Sequence, residues 1–400
     1  MYKGLSMFNN LHNDFQSILG DIPPKLLLQH PPADLALTSP ANAGLVNRSN
    51  MCYLNSVLQC LKTPLFIEYL NTIVAGSKVR SCSPRSTPAT AAPTTLASLT
   101  LDCLKSLSTS ASPISTKAIL RHIISTNNSQ HFSSQRSTSQ HDAQELLLLL
   151  LDILDNEFAA CCSSLVNYEC PFLGKILNTI ECQSCGHKRT NSNDFCTLTL
   201  NPSPSISQSI ENYMRSETVQ GIECRSCWRK HHSERVQNSI KELSEFDTGG
   251  LTSTINALRT ISSSLEKVSP SSSSPLPPVT LSIDPPSLST SLPRPPCTSF
   301  PSVSSPPPLL CLHLHRPPSV PSSSSPFVSF LQNIRVSNHV YILESFVEHL
   351  GRDGQGHYVT YKKEGGRWKI MSDEYVREVE VEEVEGRKAF LLVYRRGAIM

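Results

Sequence analysis

Residues 44–61, GLVNRSNMCYLNSVLQCL, set Cys52 at a turn, with Asn and Ser ahead of it and an apolar run behind. Leu54, Val57, Leu58 and Leu61 recur at three- and four-residue steps, so the cysteine falls at the start of a predicted helix. Peptide dipoles at a helix N-terminus lower a thiol pKa, which is one way to make a nucleophilic thiolate. Asn47, upstream, is near enough to bend its amide toward the same spot. An ordinary buried cysteine fits the pattern equally well, because free cysteine is among the most buried residue types.

A thiol hydrolase also needs an imidazole to take the proton, a group to orient it, and donors for the oxyanion. His357, in HLGRDGQGHYVTY, follows a glycine-rich turn and opens a strand. Gly351, Gly354 and Gly356 permit a loop that closes over a substrate. The chain has 13 histidines, and any one of them taken alone reads as a surface or core residue.

CQSC (Cys182, Cys185) and CRSC (Cys224, Cys227) supply four soft sulfur ligands, the set preferred by tetrahedral structural zinc. The long gap between them places each pair at the tip of its own hairpin, with the metal clipping the two together. Reduced, unliganded thiols are the plainer alternative. His187, His231 and His232 are substitute ligands or loop histidines.

These residues must be positioned by ordered elements. LASLTLDCLKSL and STKAILRHIIS read as amphipathic helices, the second capped by Ser115 or Thr116. SQHDAQELLLLLLDILDNEF (139–158) is the strongest helix, with Ser139 as cap and Asp142 and Glu145 in its first turn. Segments within 172–200 and 338–396 read as strands, and 372–385 as a solvated acidic strand face. Residues 81–95 are a loop by composition, and 1–43 a flexible lead-in. About 262–325 is a low-complexity insert in which Ser and Pro dominate; such a composition cannot form a packed core. It is interrupted by the apolar island LLCLHLHR (309–316). The expected fold class is α+β, one body from 44 to 396 with the insert between its halves.

A net charge of +2 excludes general affinity for nucleic acid or anionic membrane. With 14 cysteines but no basic region leading into an apolar core at the start, the cysteines read as metal ligands or reactive thiols rather than disulfides. The longest apolar run is broken by Asp152 and is too short to span a bilayer, so the expectation is a soluble, cytosolic protein.

Cys52 and His357 flank QHDAQEL and two CxxC pairs in an order that closely resembles the ubiquitin-specific proteases, the papain-like family that cleaves ubiquitin from its conjugates. The family's first box, GLxNxGNTCYxNSxLQ, is similar to GLVNRSNMCYLNSVLQ, and its last box to GHYVTY…W…AFLLVYRR. The resemblance implies a hand of helical thumb, palm and zinc-tipped fingers, acting as a cysteine-type deubiquitinase on ubiquitin's C-terminal glycine. It implies Cys52 as nucleophile, His357 as base, Asn47 in the oxyanion hole, and Asp142 and Gln144 on the ubiquitin tail. The family's usual third residue, an Asp or Asn four positions after Trp, falls on Ser372 here, with Asp373 next. Both stay open as the group that orients His357, with Ser372 the first choice. A serine there resembles a minority subgroup, and PFLGKI, DFCTLTL and SETVQGIEC are most like its mitochondrial outer-membrane member. That relative has an N-terminal membrane helix, and nothing in 1–43 reads as one, so a mitochondrial address rests on resemblance alone. Ser49 and Met51 replace the family's Gly and Thr. The alternatives are therefore a catalytically weak ubiquitin-binding relative, or a protease for another ubiquitin-like modifier.

Overall fold

The computed structural model describes residues 43–48, 50–81, 94–126, 141–162, 169–245, 251–266, 293–316, 326–330, 333–352 and 355–397. Residues 1–42 of the lead-in, Ser49, Ser139, Gly354, most of the 81–95 loop and much of the Ser/Pro insert lie outside them.

Helix α1, Cys52–Leu61, is buried at all ten positions, including the polar Asn55, Ser56 and Gln59. The Ser56 hydroxyl donates back to the Tyr53 carbonyl at 3.1 Å, and strand side chains donate to the helix's own carbonyls. Thr360 Oγ1 donates to the Ser56 carbonyl at 2.9 Å. At the C-terminal end, the Cys60 carbonyl accepts from Ser345 Oγ at 3.0 Å and Lys362 Nζ at 3.3 Å. The Lys362 ammonium complements the negative end of the helix dipole, although burial pulls its pKa down.

Around α1 pack α2 (Pro64–Ser81), α3 (Leu96–Thr109), α4 (Lys117–Thr126) and α5 (Ala143–Cys162). Thr95 and Ser98 close a capping box at the start of α3. The Glu157 carboxylate on α5 accepts from the Leu96 and Ala97 amides at 2.7 and 2.9 Å, satisfying two more free N–H groups there. The observed cap of α5 is Asp142, whose Oδ1 accepts from the Gln144 and Glu145 amides at 2.7 and 3.0 Å. Leu146, Leu147, Leu150, Leu151 and Leu154 face the core, while Leu148 lies on the outer side.

The palm is an eight-stranded sheet. Its order is β11 (Tyr375–Val379), β10 (Arg367–Ser372), β9 (Gln355–Glu364), β8 (His339–Arg352), β12 (Ala389–Arg396), β6 (Leu309–Leu314) and β3 (Leu198–Leu200), with β7 (Asn333–Val336) also paired to β8. Strand β6, the apolar island, is fully buried and runs parallel to β3 and antiparallel to β12. One sheet face packs on the helical thumb through Val347, Tyr358, Leu391 and Val393. The other face carries Phe346, Tyr361, Trp368 and Leu392 against α6 (Ile206–Met214).

The fingers are a second sheet, ordered β2 (Lys188–Phe195), β1 (Gly174–Cys182), β5 (Cys297–Ser305), β4 (Glu217–Val219). Helices α7 (Arg225–Glu245) and α8 (Thr252–Glu266) pair beside it around Trp228, Val236, Leu258 and Leu265.

Three sequence expectations need correction. Strand β5 lies inside the Ser/Pro-rich segment: Cys297 and Val303 supply buried side chains, and Pro301 falls beyond β4, where that side of β5 is an edge and tolerates proline. The acidic segment is strand β11 only as far as Val379, after which Val381–Glu385 forms α9 with Val384 buried. The second CxxC pair sits at the entry of α7, not on a hairpin.

Candidate active site and metal-binding cluster

Cys52 is the first residue of α1 and is 3% exposed. Asn50, two residues earlier, takes a left-handed φ of 58°, a conformation Asn tolerates better than most residues. Asn47 Oδ1 accepts from the Met51 amide at 2.9 Å, so the loop folds back on itself just ahead of the cysteine. The strand-like stretch before it is pinned on both sides. Leu45 N–H donates to the Asp373 carbonyl at 2.8 Å, and Val46 N–H to the Ile114 carbonyl at 2.9 Å.

His357 is on β9 opposite Leu350 of β8. Its Nε2 lies 2.7 Å from Ser372 Oγ, at the end of β10. The Asp373 carboxylate comes no closer than 3.8 Å to the same nitrogen. Ser372 and Tyr375 close a two-residue hairpin, and Asp373 occupies its first position with φ of 52°. That left-handed conformation is one Asp tolerates better than most residues.

The two Asp373 carboxylate oxygens face α1 and its loop. Asn47 Nδ2 donates to Oδ2 at 2.7 Å, and Asn55 Nδ2 donates to Oδ1 at 2.8 Å. Gln59 Nε2 donates to the Asp373 carbonyl at 3.1 Å. Burial raises the Asp373 pKa, while the Asn55 and Asn47 amides and a charged His357 oppose that rise. Asn55, one helical turn from Cys52, thus touches the carboxylate that stands beside His357; this connects the two ends of the chain.

Asp142 and Gln144 lie at the entry of α5. The ring of the preceding His141 meets Tyr53, the neighbour of Cys52, edge-on at 5.4 Å. Asn55, Gln59 and Thr116 were not singled out as site residues. The signal in the sequence is their polarity: positions 52, 55 and 59 share one face of an otherwise apolar helix. Thr116, one of the two candidate caps of α4 beside Ser115, donates its hydroxyl to Asn55 Oδ1 at 2.9 Å.

A family model for ubiquitin carboxyl-terminal hydrolase matches residues 43–394. The chain belongs to the ubiquitin carboxyl-terminal hydrolase family. Among curated proteins it is similar to ubiquitin C-terminal hydrolase 22 of Arabidopsis thaliana, 26% identical across 89% of this chain and 64% of the relative. It is also similar to ubiquitin carboxyl-terminal hydrolase 25 of Arabidopsis thaliana, 27% identical across 49% of this chain and 31% of the relative. The chain therefore spans under two-thirds of the length of either. Among solved structures it resembles a chain of the SAGA Ubp8/Sgf11/Sus1/Sgf73 DUB module bound to ubiquitin aldehyde, with a TM-score of 0.58 and 17% identity. That match covers 90% of this chain and 70% of the other, and a monoubiquitin-bound form of the module gives a TM-score of 0.57 at 18% identity. These likenesses show the fold, a mixed α+β body of the ubiquitin-protease type.

In this family member the four CxxC sulfurs of Cys182, Cys185, Cys224 and Cys227 all lie within 4.8 Å of one another. Cys182 Sγ is 3.5 Å from Cys227 Sγ, and Cys185 Sγ is 3.6 Å from Cys224 Sγ. Four sulfurs at zinc-bond length on a tetrahedron stand about 3.8 Å apart, so the residues fit one tetrahedral metal ion. The Cys227 amide also donates to Cys224 Sγ at 3.4 Å, a contact that favours the thiolate. His187, His231 and His232 are not members of this cluster. Among the described residues no helix is long and apolar enough to cross a membrane.

Proposed function

We propose that this chain is a thiol-dependent deubiquitinase that hydrolyses the isopeptide or peptide bond at the C-terminal glycine of ubiquitin. One observation carries the reading: His357 gives its Nε2 to Ser372 at 2.7 Å, which leaves Nδ1 to serve a nucleophile.

Cys52 attacks the carbonyl of the terminal glycine. His357 Nδ1 takes the thiol proton and later returns a proton to the leaving amine, while Ser372 holds the ring in the required tautomer. The attack converts the carbonyl oxygen to an oxyanion, and the thioester that follows is hydrolysed by water. An amide NH2 carries two hydrogens, so Asn47 retains one for the oxyanion while the other holds Asp373. Asp142 keeps Oδ2 beyond the oxygen used in capping, and with Gln144 it contacts the C-terminal tail of ubiquitin. Cys182, Cys185, Cys224 and Cys227 would hold zinc in a structural role, since four sulfur ligands would leave no position open for water. The partners are ubiquitin and ubiquitinated proteins. The subgroup likeness rests on Ser372 and a few short segments, and no mitochondrial address is proposed from it.

The test is covalent labelling with a ubiquitin C-terminal electrophile, beside equivalent probes of other ubiquitin-like modifiers. Labelling of wild type but not of Cys52→Ala by the ubiquitin probe is the expected result. No adduct on folded, zinc-loaded wild type overturns the enzyme reading, and preferential labelling by another modifier's probe overturns the substrate.

A further inference from the structure

A directed chain of hydrogen bonds runs from the start of α4 to the loop that delivers Cys52. Thr116 Oγ1 donates to Asn55 Oδ1 at 2.9 Å, and Asn55 Nδ2 donates to Asp373 Oδ1 at 2.8 Å. Asp373 Oδ2 accepts from Asn47 Nδ2 at 2.7 Å, and Asn47 Oδ1 accepts from the Met51 amide at 2.9 Å. The direction of every link is forced. A carboxylate only accepts, so both asparagines must turn their NH2 ends toward Asp373 and their carbonyls away from it. The Asn47 carbonyl then meets a backbone donor, and the Asn55 carbonyl meets Thr116. Thr116 and Asn55 are both fully buried, so water does not replace either partner.

The chain stands apart from the proton-transfer side of the site. Its carboxylate is 3.8 Å from His357 Nε2, a nitrogen whose close partner is Ser372 at 2.7 Å. It ends instead on Asn47 and Met51, in the loop just before the nucleophile. We propose that Thr116 and Asn55 are positioning residues of the hydrolase, which act through Asp373 to fix Asn47 and the oxyanion side of the site. This deepens the deubiquitinase reading and rests on it. In this assignment Asp373 is the clip that joins the β10–β11 hairpin to the cysteine loop, and Thr116 carries its setting out to the α4 boundary. A valine at 116 has the shape of threonine but leaves the Asn55 carbonyl buried without that donor, which weakens the amide's hold on Asp373 while Nδ2 keeps its longer contacts to the Leu45 and Val46 carbonyls at 3.4 and 3.3 Å.

The experiment compares wild type, Cys52→Ala, Thr116→Val and Thr116→Ser, all zinc-loaded. It measures turnover of a fluorogenic ubiquitin C-terminal amide, and the pH dependence of Cys52 alkylation by iodoacetamide. Alkylation reads the thiolate and its imidazole without needing an oxyanion hole. Thr116→Val is expected to lower kcat roughly tenfold, the scale of one buried hydrogen bond, with KM within about twofold of wild type. Its alkylation profile keeps the wild-type midpoint, and Thr116→Ser, which retains the hydroxyl, recovers most of the lost kcat. Wild-type kcat in Thr116→Val, a loss that Thr116→Ser does not recover, or a displaced alkylation midpoint overturns the assignment. If Thr116→Val does not fold, Asn55→Ser breaks the same chain one link further on, and its kcat and alkylation profile are read by the same criteria. Wild type turning over no faster than Cys52→Ala overturns instead the hydrolase reading beneath it.

Discussion

His357 Nε2 is 2.7 Å from Ser372 Oγ, within hydrogen-bond range, and the carboxylate of the next residue stays 3.8 Å away. Two neighbouring side chains that both look fit to orient an imidazole make separate contacts. The hairpin geometry explains the division. Ser372 ends a strand and faces the histidine strand, whereas Asp373 turns through a left-handed conformation and points its carboxylate at Asn47 and Asn55.

Ser372→Ala removes the close partner of the ring. We expect kcat to fall with little change in KM, by about 1–2 kcal/mol of transition-state stabilisation, because a serine hydroxyl orients the imidazole but carries no charge to stabilise imidazolium. Asp373→Ala is expected to lower thermal stability as well as kcat, because it strips the buried Asn55 amide and the half-buried Asn47 amide of their acceptor at once. Steady-state kinetics with a fluorogenic ubiquitin substrate, read beside thermal melts, separate the two. An Asp373→Ala variant of wild-type stability would contradict the clip.

The four-cysteine cluster joins the β1–β2 hairpin to the start of α7 across a long stretch of chain. Few apolar side chains hold that tip: Ile180, Val219 and Ile222 pack there only partly buried. A metal ion bound there would therefore supply much of its folding energy. We expect one zinc per chain by elemental analysis. Treatment with a strong chelator, or Cys224→Ser, should lower the melting temperature and raise protease sensitivity in the fingers. Unchanged melting after complete metal removal would show that the tip folds without the ion.

Gly44 faces the β10–β11 hairpin so closely that an added Cβ would overlap the backbone of Asp373 and Glu374. Backbone cannot swing aside as a side chain can, so Gly44→Ala should displace the hairpin, at a cost of about 2 kcal/mol or more. The predicted signature is a lowered melting temperature together with a loss of kcat, because the same turn carries Ser372 and the Asp373 clip. Wild-type kinetics in a folded Gly44→Ala protein would mean that the turn accommodates the methyl without cost.

Much of this was legible in the sequence for physical reasons. The helix that Cys52 opens was legible from its three- and four-residue apolar spacing, and β6 stood out as an apolar island in a Ser/Pro-rich stretch. The CxxC pairs carried their own ligand count. What was hidden depended on long-range partners. Strand β5 looked like low complexity because a sheet position needs only alternate buried residues, and β1 supplied the neighbour that made Cys297 and Val303 useful. Thr116 looked like a helix cap because local pattern cannot show that Asn55, far away in the chain, competes for its hydroxyl. The placement of the second CxxC pair on a helix start instead of a hairpin was lost in the same way.

His313 gives the fold a stability that depends on pH. It lies on β6 with 7% exposure, its Nδ1 3.3 Å from Thr199 Oγ1 and its ring 4.8 Å from that of Phe390. Burial, then the neighbouring charges of His315 and Arg316, push its pKa down to about 4 from an ordinary value of 6.5. The unfolded chain thus binds a proton more readily than the folded one. The stability is fully present above pH 6.5 and is lost as pH falls from there toward 4. A shift of that size corresponds to about 3 kcal/mol at its full extent. Denaturant unfolding of wild type and His313→Leu between pH 7 and pH 4.5 checks the prediction. The variant should lose stability less steeply over this range, even if it is less stable at neutral pH through altered packing. Parallel curves would mean that protonation of His313 costs the folded state nothing, and that the acid sensitivity of the palm lies elsewhere.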